Sequence, residues 1–199
     1  MRPVIACLPA LLTVLALSGC DRQKAEASQG EAANAAAPAN QNAATYPTGR
    51  LDRSHAGTTA PGLLFEDPQG RPVTLATFRG KPLLVNFWAT WCGPCVVEMP
   101  ALDRLAAREG EALRVLVISQ DDQERGGRRL VTDFFAARNF RELEPYLDGR
   151  MALMMALQLD TLPTTILYDA EGREVWRMTG ATEWEGERAA RLLTEAEGG

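Results

Sequence analysis

The sequence predicts an α/β domain: a central mixed β-sheet with helices on both faces. Three observations carry this. Two continuous apolar runs, "LLVNFW" (Leu83 to Trp88) and "LRVLVIS" (Leu113 to Ser119), have the length and composition of buried central strands. Helical spacing of apolar residues separates and follows them. Late in the chain, "TTILYD" and "EVWRMT" flank the turn Asp169-Ala170-Glu171-Gly172, a hairpin pattern.

The elements follow in order. "RPVTL" (Arg71 to Leu75) alternates with period two and predicts a short first strand. After "LLVNFW", Cys95 to Arg108 places Met99, Leu102, Leu105 and Ala106 on one helix face. Pro100 lies inside that helix, where proline kinks or breaks the backbone. Arg128 to Arg138 predicts a helix with Leu130, Val131, Phe134 and Phe135 inward, and Met151 to Leu157 a shorter one. The stretch between, "DDQERGGRR" (Asp121 to Arg129), reads as a solvated loop and helix start. A last helix is expected from Thr182, with Thr182 and Glu185 as a capping box. There is no internal repeat.

The chain has 199 residues, 46% of them hydrophobic, enough for one domain with a real core. A formal net charge of −5 gives no electrostatic footprint for nucleic acid. The N-terminus reads as an export signal. Arg2 supplies the positive end and Val4 to Leu17 an uncharged apolar stretch too short to span a membrane comfortably. It closes on "LSGC", which resembles the lipobox of bacterial lipoproteins. Residues 1–19 are then a signal peptide, and Cys20 carries lipid and a stable membrane anchor. From Asp21 to Thr45 the chain is rich in Ala, Asn, Gln, Glu and Ser and has no Val, Ile, Leu, Met or aromatic residue, so residues 20–60 are expected to form a flexible tether. About 35 such residues would reach roughly 35 Å. The folded domain is placed at 61–199, starting at Pro61.

The cysteines are counted off against this frame. Cys7 lies in the signal and Cys20 is lipidated, which leaves Cys92 and Cys95 in "FWATWCGPC". A structural zinc site needs four ligands, and the chain's one histidine, His55, lies in the stretch before the domain. Covalent haem attachment needs a histidine directly after the second cysteine, where Val96 stands. No metal site and no cofactor is expected. Redox chemistry or transient binding of a soft ion such as copper(I) remains open. Cys92 falls at a strand-to-helix junction, where free N–H groups and the helix dipole favour a thiolate. Pro94 fits the first helical turn, where its missing N–H costs nothing. Cys95, one turn further in, would be the shielded resolving thiol, with the two sulfurs within bonding reach.

"NFWATWCGPC" followed by "VVEMP" and later by "TLPTT" resembles the thioredoxin superfamily, and within it the TlpA-like branch of membrane-anchored extracytoplasmic thiol-disulfide proteins. The likeness covers about Pro61 to Glu197, with "LPTTILYDAEGREV" and "GATEW" among the shorter matching stretches. It implies a thioredoxin fold with a TlpA-like N-terminal β extension. It implies Cys92 as nucleophile and Cys95 as resolving cysteine. Pro163 matches the cis-proline that faces the active site, with Leu162 before it. Such a backbone edge pairs with an extended substrate segment. Trp91, Gly93 and Pro94 complete the implied substrate-contacting set, and Trp88 belongs to the core. Asn86 stands where cytosolic thioredoxins have a buried aspartate. Glu98 matches a glutamate of the branch and is expected to tune the thiols or relay a proton. Pro100 matches a proline that kinks the helix without breaking it.

The resemblance also implies partners: client proteins with a cysteine pair, and a membrane thiol electron donor. The Gly-Pro dipeptide is that of the reducing thioredoxins, at about −270 mV against about −120 mV for the oxidant DsbA. This favours a reductase acting before cofactor insertion, on cytochrome oxidase copper-site proteins or apocytochrome c. Asp21 after the lipidated cysteine points to the outer face of the inner membrane, and a monomer is expected. A copper(I) carrier using the same cysteines and a thiol peroxidase are the alternative functions.

Overall fold

The computed structural model describes residues 49–197. The expected signal peptide, Cys20 and most of the tether lie outside the described residues. One eight-stranded mixed sheet organises the described residues, in the spatial order Arg50–Asp52 (β1), Glu174–Thr179 (β8), Thr164–Tyr168 (β7), Leu83–Trp88 (β4), Arg114–Ser119 (β5), Tyr146–Leu147 (β6), Phe65–Glu66 (β2) and Pro72–Val73 (β3). Its centre is β4 (Leu83–Trp88), parallel to β5 (Arg114–Ser119) on one side and antiparallel to β7 (Thr164–Tyr168) on the other. Helix α1 (Gly93–Glu109) connects β4 to β5, as two parallel neighbours require. All six residues of β4 are buried, so both sheet faces are covered.

Strand alternation divides the core in two. Leu84 and Trp88 of β4 face Met99, Leu102 and Leu105 of α1, with Val131 and Phe134 of α2 (Gly127–Ala136) and Ala189 and Leu192 of α4 (Glu187–Leu193). Val85 and Phe87 join Leu75 and Phe78 of a short 3-10 helix, and Leu153 of α3 (Ala152–Ala156), on the opposite face. The predicted layers are present. Pro100 lies on the exposed side of α1, and the helix runs through it for 17 residues.

Several expectations need correction. The folded body begins before Pro61. A three-residue strand β1 (Arg50–Asp52) pairs with β8 (Glu174–Thr179), matching Leu51 to Met178. With one apolar residue it has no strand signature of its own, and the edge of β8 supplies the pairing. "RPVTL" contributes only Pro72–Val73 (β3), beside Phe65–Glu66 (β2), and β2 joins the main sheet through β6 (Tyr146–Leu147). Leu130 is exposed, while Val131 and Phe134 are buried. The capping box at Thr182 does not form. The Thr182 N–H donates to Glu98, Glu185 binds Arg104, and α4 starts later with Gly186 as its cap. In "DDQERGGRR", Asp121 and Gly127 are buried in an otherwise largely exposed stretch.

Candidate functional site

The site is built where β4 ends. After Trp88 the chain turns through Ala89 to Trp91, and the Cys92 N–H closes the turn on the Ala89 carbonyl at 3.1 Å. Cys92 has extended dihedrals and caps α1, its sulfur accepting from the Cys95 N–H at 3.4 Å. Gly93 and Pro94 form the first helical positions, Pro94 where no N–H partner is needed. Cys92 and Cys95 are joined as a disulfide. Both cysteines are buried, Cys95 completely, while Cys92 retains 6% exposure, so of the two only Cys92 reaches the surface.

Trp91 stands out from this turn at 71% exposure, while Trp88 is fully buried in the core, as expected of it. The Leu162–Pro163 peptide is cis. Register places it at the site: Thr164 pairs with Phe87, so Pro163 lies level with the end of β4 from which the cysteine turn departs. The Pro163 carbonyl accepts from Gly180 at 2.8 Å, and Leu162 is half-buried. Gly93 is exposed and Pro94 half-buried. The cysteine turn, with Trp91 to Cys95, and the Leu162–Pro163 segment thus lie at the same end of the sheet.

Glu98 is not on a solvated helix face. It is 5% exposed and points from α1 toward β4. One carboxylate oxygen accepts from Asn86 Nδ2 at 2.7 Å. The other accepts from the Thr182 N–H at 3.1 Å and from Trp184 Nε1 at 3.3 Å. Burial raises its pKa from 4.5 to about 7, and these three donors oppose the rise without cancelling it. Asn86 sits between Leu84 and Trp88 on the α1 side of β4, and its amide also donates to Thr165 Oγ1 at 2.9 Å, its partner across the antiparallel ladder. The side chain that β4 contributes here is neutral, and the ionisable group beside it, Glu98, comes from the helix.

What sequence reasoning missed is that Thr182, read as a helix cap, and Trp184, quoted only within "GATEW", both donate to Glu98. Their signal was a tryptophan in a short polar stretch after the last strand, which helix periodicity does not require. Asp121 was also missed. Among the described residues no group of three or more His, Cys, Asp or Glu is placed to hold a metal ion.

A strand-turn-helix junction carrying a bonded Cys-Gly-Pro-Cys pair, opposite a cis-proline in a mixed sheet, defines a thiol-disulfide oxidoreductase of the thioredoxin superfamily, of the TlpA/ResA type. The chain belongs to the Redoxin family, whose model matches residues 55–193. It is 32% identical over 125 residues to the thiol-disulfide oxidoreductase ResA of Geobacillus thermodenitrificans, covering 62% of this chain and 69% of that one. The crystal structure of a thio-disulfide isomerase from Thermus thermophilus superposes with a TM-score of 0.57 at 29% identity, over 70% of this chain and 94% of that one. An exposed lipoprotein thioredoxin from Streptococcus pneumoniae shares the fold at 22% identity and a TM-score of 0.54, over 68% of this chain and 98% of that one. The protein is a thiol-disulfide oxidoreductase, and its clients are proteins that contain cysteine.

Proposed function

We propose that this protein is an extracytoplasmic reductase. It is held at the outer face of the inner membrane through lipidated Cys20 and reduces a client's cysteine pair before a cofactor is inserted. Cytochrome oxidase copper-site proteins and apocytochrome c are the client classes that fit. The observation that supports this reading is the asymmetry of the pair: Cys92, at a helix start and the only one of the two with any exposure, bonded to a fully buried Cys95.

In the reductive direction the Cys92 thiolate attacks one sulfur of the client disulfide. The client's other sulfur leaves as a thiolate, and a mixed disulfide remains. The Cys95 thiolate then attacks Cys92 Sγ. The Cys92–Cys95 bond forms, the client leaves as a dithiol, and two electrons have passed to it. A membrane thiol donor must return the pair to its reduced form. Trp91, Gly93, Pro94, Leu162 and Pro163 border the client segment, and the protein acts as a monomer. Glu98 tunes the two thiols by holding or releasing a proton near neutral pH. Asn86 Oδ1 and Thr182 Oγ1, on two of the residues that donate to Glu98, are themselves buried without partners.

Two measurements test this. Equilibration with glutathione should give a potential in the thioredoxin range, and a value near the roughly −120 mV of DsbA would overturn the direction. A Cys95→Ser variant in native membranes should retain the client on Cys92 as a stable mixed disulfide. Recovery of no cofactor-binding cysteine protein would overturn the client class.

A further inference from the structure

The turn that presents Cys92 is held from outside by a side chain with no other evident task. Asp121 follows β5 and is 1% exposed. Its Oδ2 accepts from the Thr90 N–H at 2.9 Å and from Ser119 Oγ at 2.6 Å, and its Oδ1 accepts from Thr90 Oγ1 at 2.6 Å. Ser119 Oγ in turn accepts from the Asp121 N–H at 3.0 Å, which fixes the carboxylate from behind. The adjoining backbone is tied down as well. The Gln120 N–H donates to the Trp88 carbonyl at 2.8 Å, and Gly127 packs so closely that an added Cβ would lie 2.3 Å from the Asp121 carbonyl oxygen. Thr90 is the second residue of the Ala89–Cys92 turn. Both of its hydrogen-bonding donors are therefore fixed by one carboxylate on the neighbouring strand end.

We infer that Asp121 is a positioning residue for the exchange reaction: through Thr90 it sets the turn that places Cys92 at the N-terminus of α1 and turns Trp91 outward. The physical reason is that a thiolate gains from a helix start only when it is held there. Hydrogen bonds to a buried carboxylate are among the stronger ones and are costly to leave unmade. If the Thr90 tie matters more to the thiolate state than to the disulfide, its loss raises the Cys92 pKa and shifts the pair toward the disulfide. A contact that merely supported the fold would weaken both redox states alike and leave that equilibrium where it was.

The inference rests on the reading of Cys92 as the attacking thiol. The test uses Thr90→Val, which keeps size and charge and removes one hydroxyl donor, with Thr90→Ser as the rescue and Asp121→Asn as the second variant. Thr90→Val should slow alkylation of the reduced protein at neutral pH by about fivefold and shift its equilibrium with glutathione toward the disulfide by a similar factor, an effect the size of one hydrogen bond. Thr90→Ser should restore both. Rate and equilibrium staying within about twofold of wild type in both Thr90→Val and Asp121→Asn would overturn the role of Asp121. Peptide mapping separates this from the underlying reading: first label on Cys95 in the wild-type protein would overturn Cys92 as nucleophile, whatever the variants do.

Discussion

Asn86 Nδ2 donates to Glu98 Oε1 at 2.7 Å, joining the strand that enters the cysteine turn to the helix that leaves it. Both side chains are buried, Asn86 completely. The bond crosses the layer between sheet and helix one turn along α1 from Cys95. Burial there pushes the Glu98 carboxyl up to a pKa of about 7.

Stability should therefore carry the signature of Glu98. Its pKa is 4.5 in the open chain and about 7 in the fold. Between those values the folded protein holds a proton that the unfolded chain has released. Stability must fall as pH rises through that window and level off above it. The span corresponds to roughly 3 kcal/mol from this one group. Urea denaturation at several pH values should show this slope in the wild type and lose it in Glu98→Gln. A stability difference between the two that does not vary with pH would refute the assignment.

Asn86→Asp tests the same contact from the strand side. The new carboxyl would lie against Glu98, and two carboxylates at that distance do not both ionise. One stays protonated, or the fold loses stability. The variant should be weaker than wild type by about 2–4 kcal/mol at pH 8 and recover most of that at pH 5. Denaturant midpoints at the two pH values check it. An equal loss at both would mean that shape, and not charge, is what Asn86 supplies.

How much of this was legible depended on whether a signal was local. The strand "LLVNFW" and the helix behind Cys95 were readable because apolar period and the cysteine spacing are properties of a few adjacent residues. Asn86 and Glu98 each stand out in the sequence, but their bond does not, because it depends on which face of β4 turns toward α1. Thr182 and Trp184 lie more than 80 residues from Glu98 and meet it only through the sheet order. The same cause explains the lost capping box: Thr182 satisfies the rule for a helix start, and a buried carboxylate takes its N–H instead. Strand β1 was illegible for a different reason, since a neighbour's edge defines it and its own three residues do not.

On β8, Arg177 and Glu174 form a two-pronged ion pair at 2.6 and 2.7 Å, with exposures of 7% and 3%, and Arg177 also donates to the Leu157 carbonyl at 2.9 Å. Leu157 lies in the segment that leads from α3 toward the cis-proline, so this guanidinium ties that segment to the sheet. Arg177→Met should cost about 3–5 kcal/mol, because it strands a buried carboxylate. The double variant Arg177→Met/Glu174→Met should recover much of the loss. Thermal or urea denaturation of the three proteins decides; a double variant no better than the single one would show that the Leu157 bond carries the stability.

Gly127→Ala and Gly126→Ala form a matched pair on either side of one peptide bond. Gly127 is the first residue of α2, where helix propensity alone favours alanine by up to about 1 kcal/mol. The added Cβ would, however, lie 2.3 Å from the Asp121 oxygen, 2.8 Å from its carbonyl carbon and 2.9 Å from the Asp122 oxygen, all backbone. Backbone cannot rotate away as a side chain could, so the substitution should destabilise by roughly 2 kcal/mol or more. Gly126 has φ of +82° and nothing within 4 Å of an added Cβ, so its replacement should cost only the strain of a left-handed residue, about 1 kcal/mol. The two also differ in what they disturb. Displacing Asp121 loosens its hold on Thr90, so Gly127→Ala should slow Cys92 alkylation, and Gly126→Ala should leave it unchanged. Stability measured by denaturation and thiol reactivity measured by alkylation should therefore part company between neighbouring glycines, because only one of them touches the residue that holds the cysteine turn.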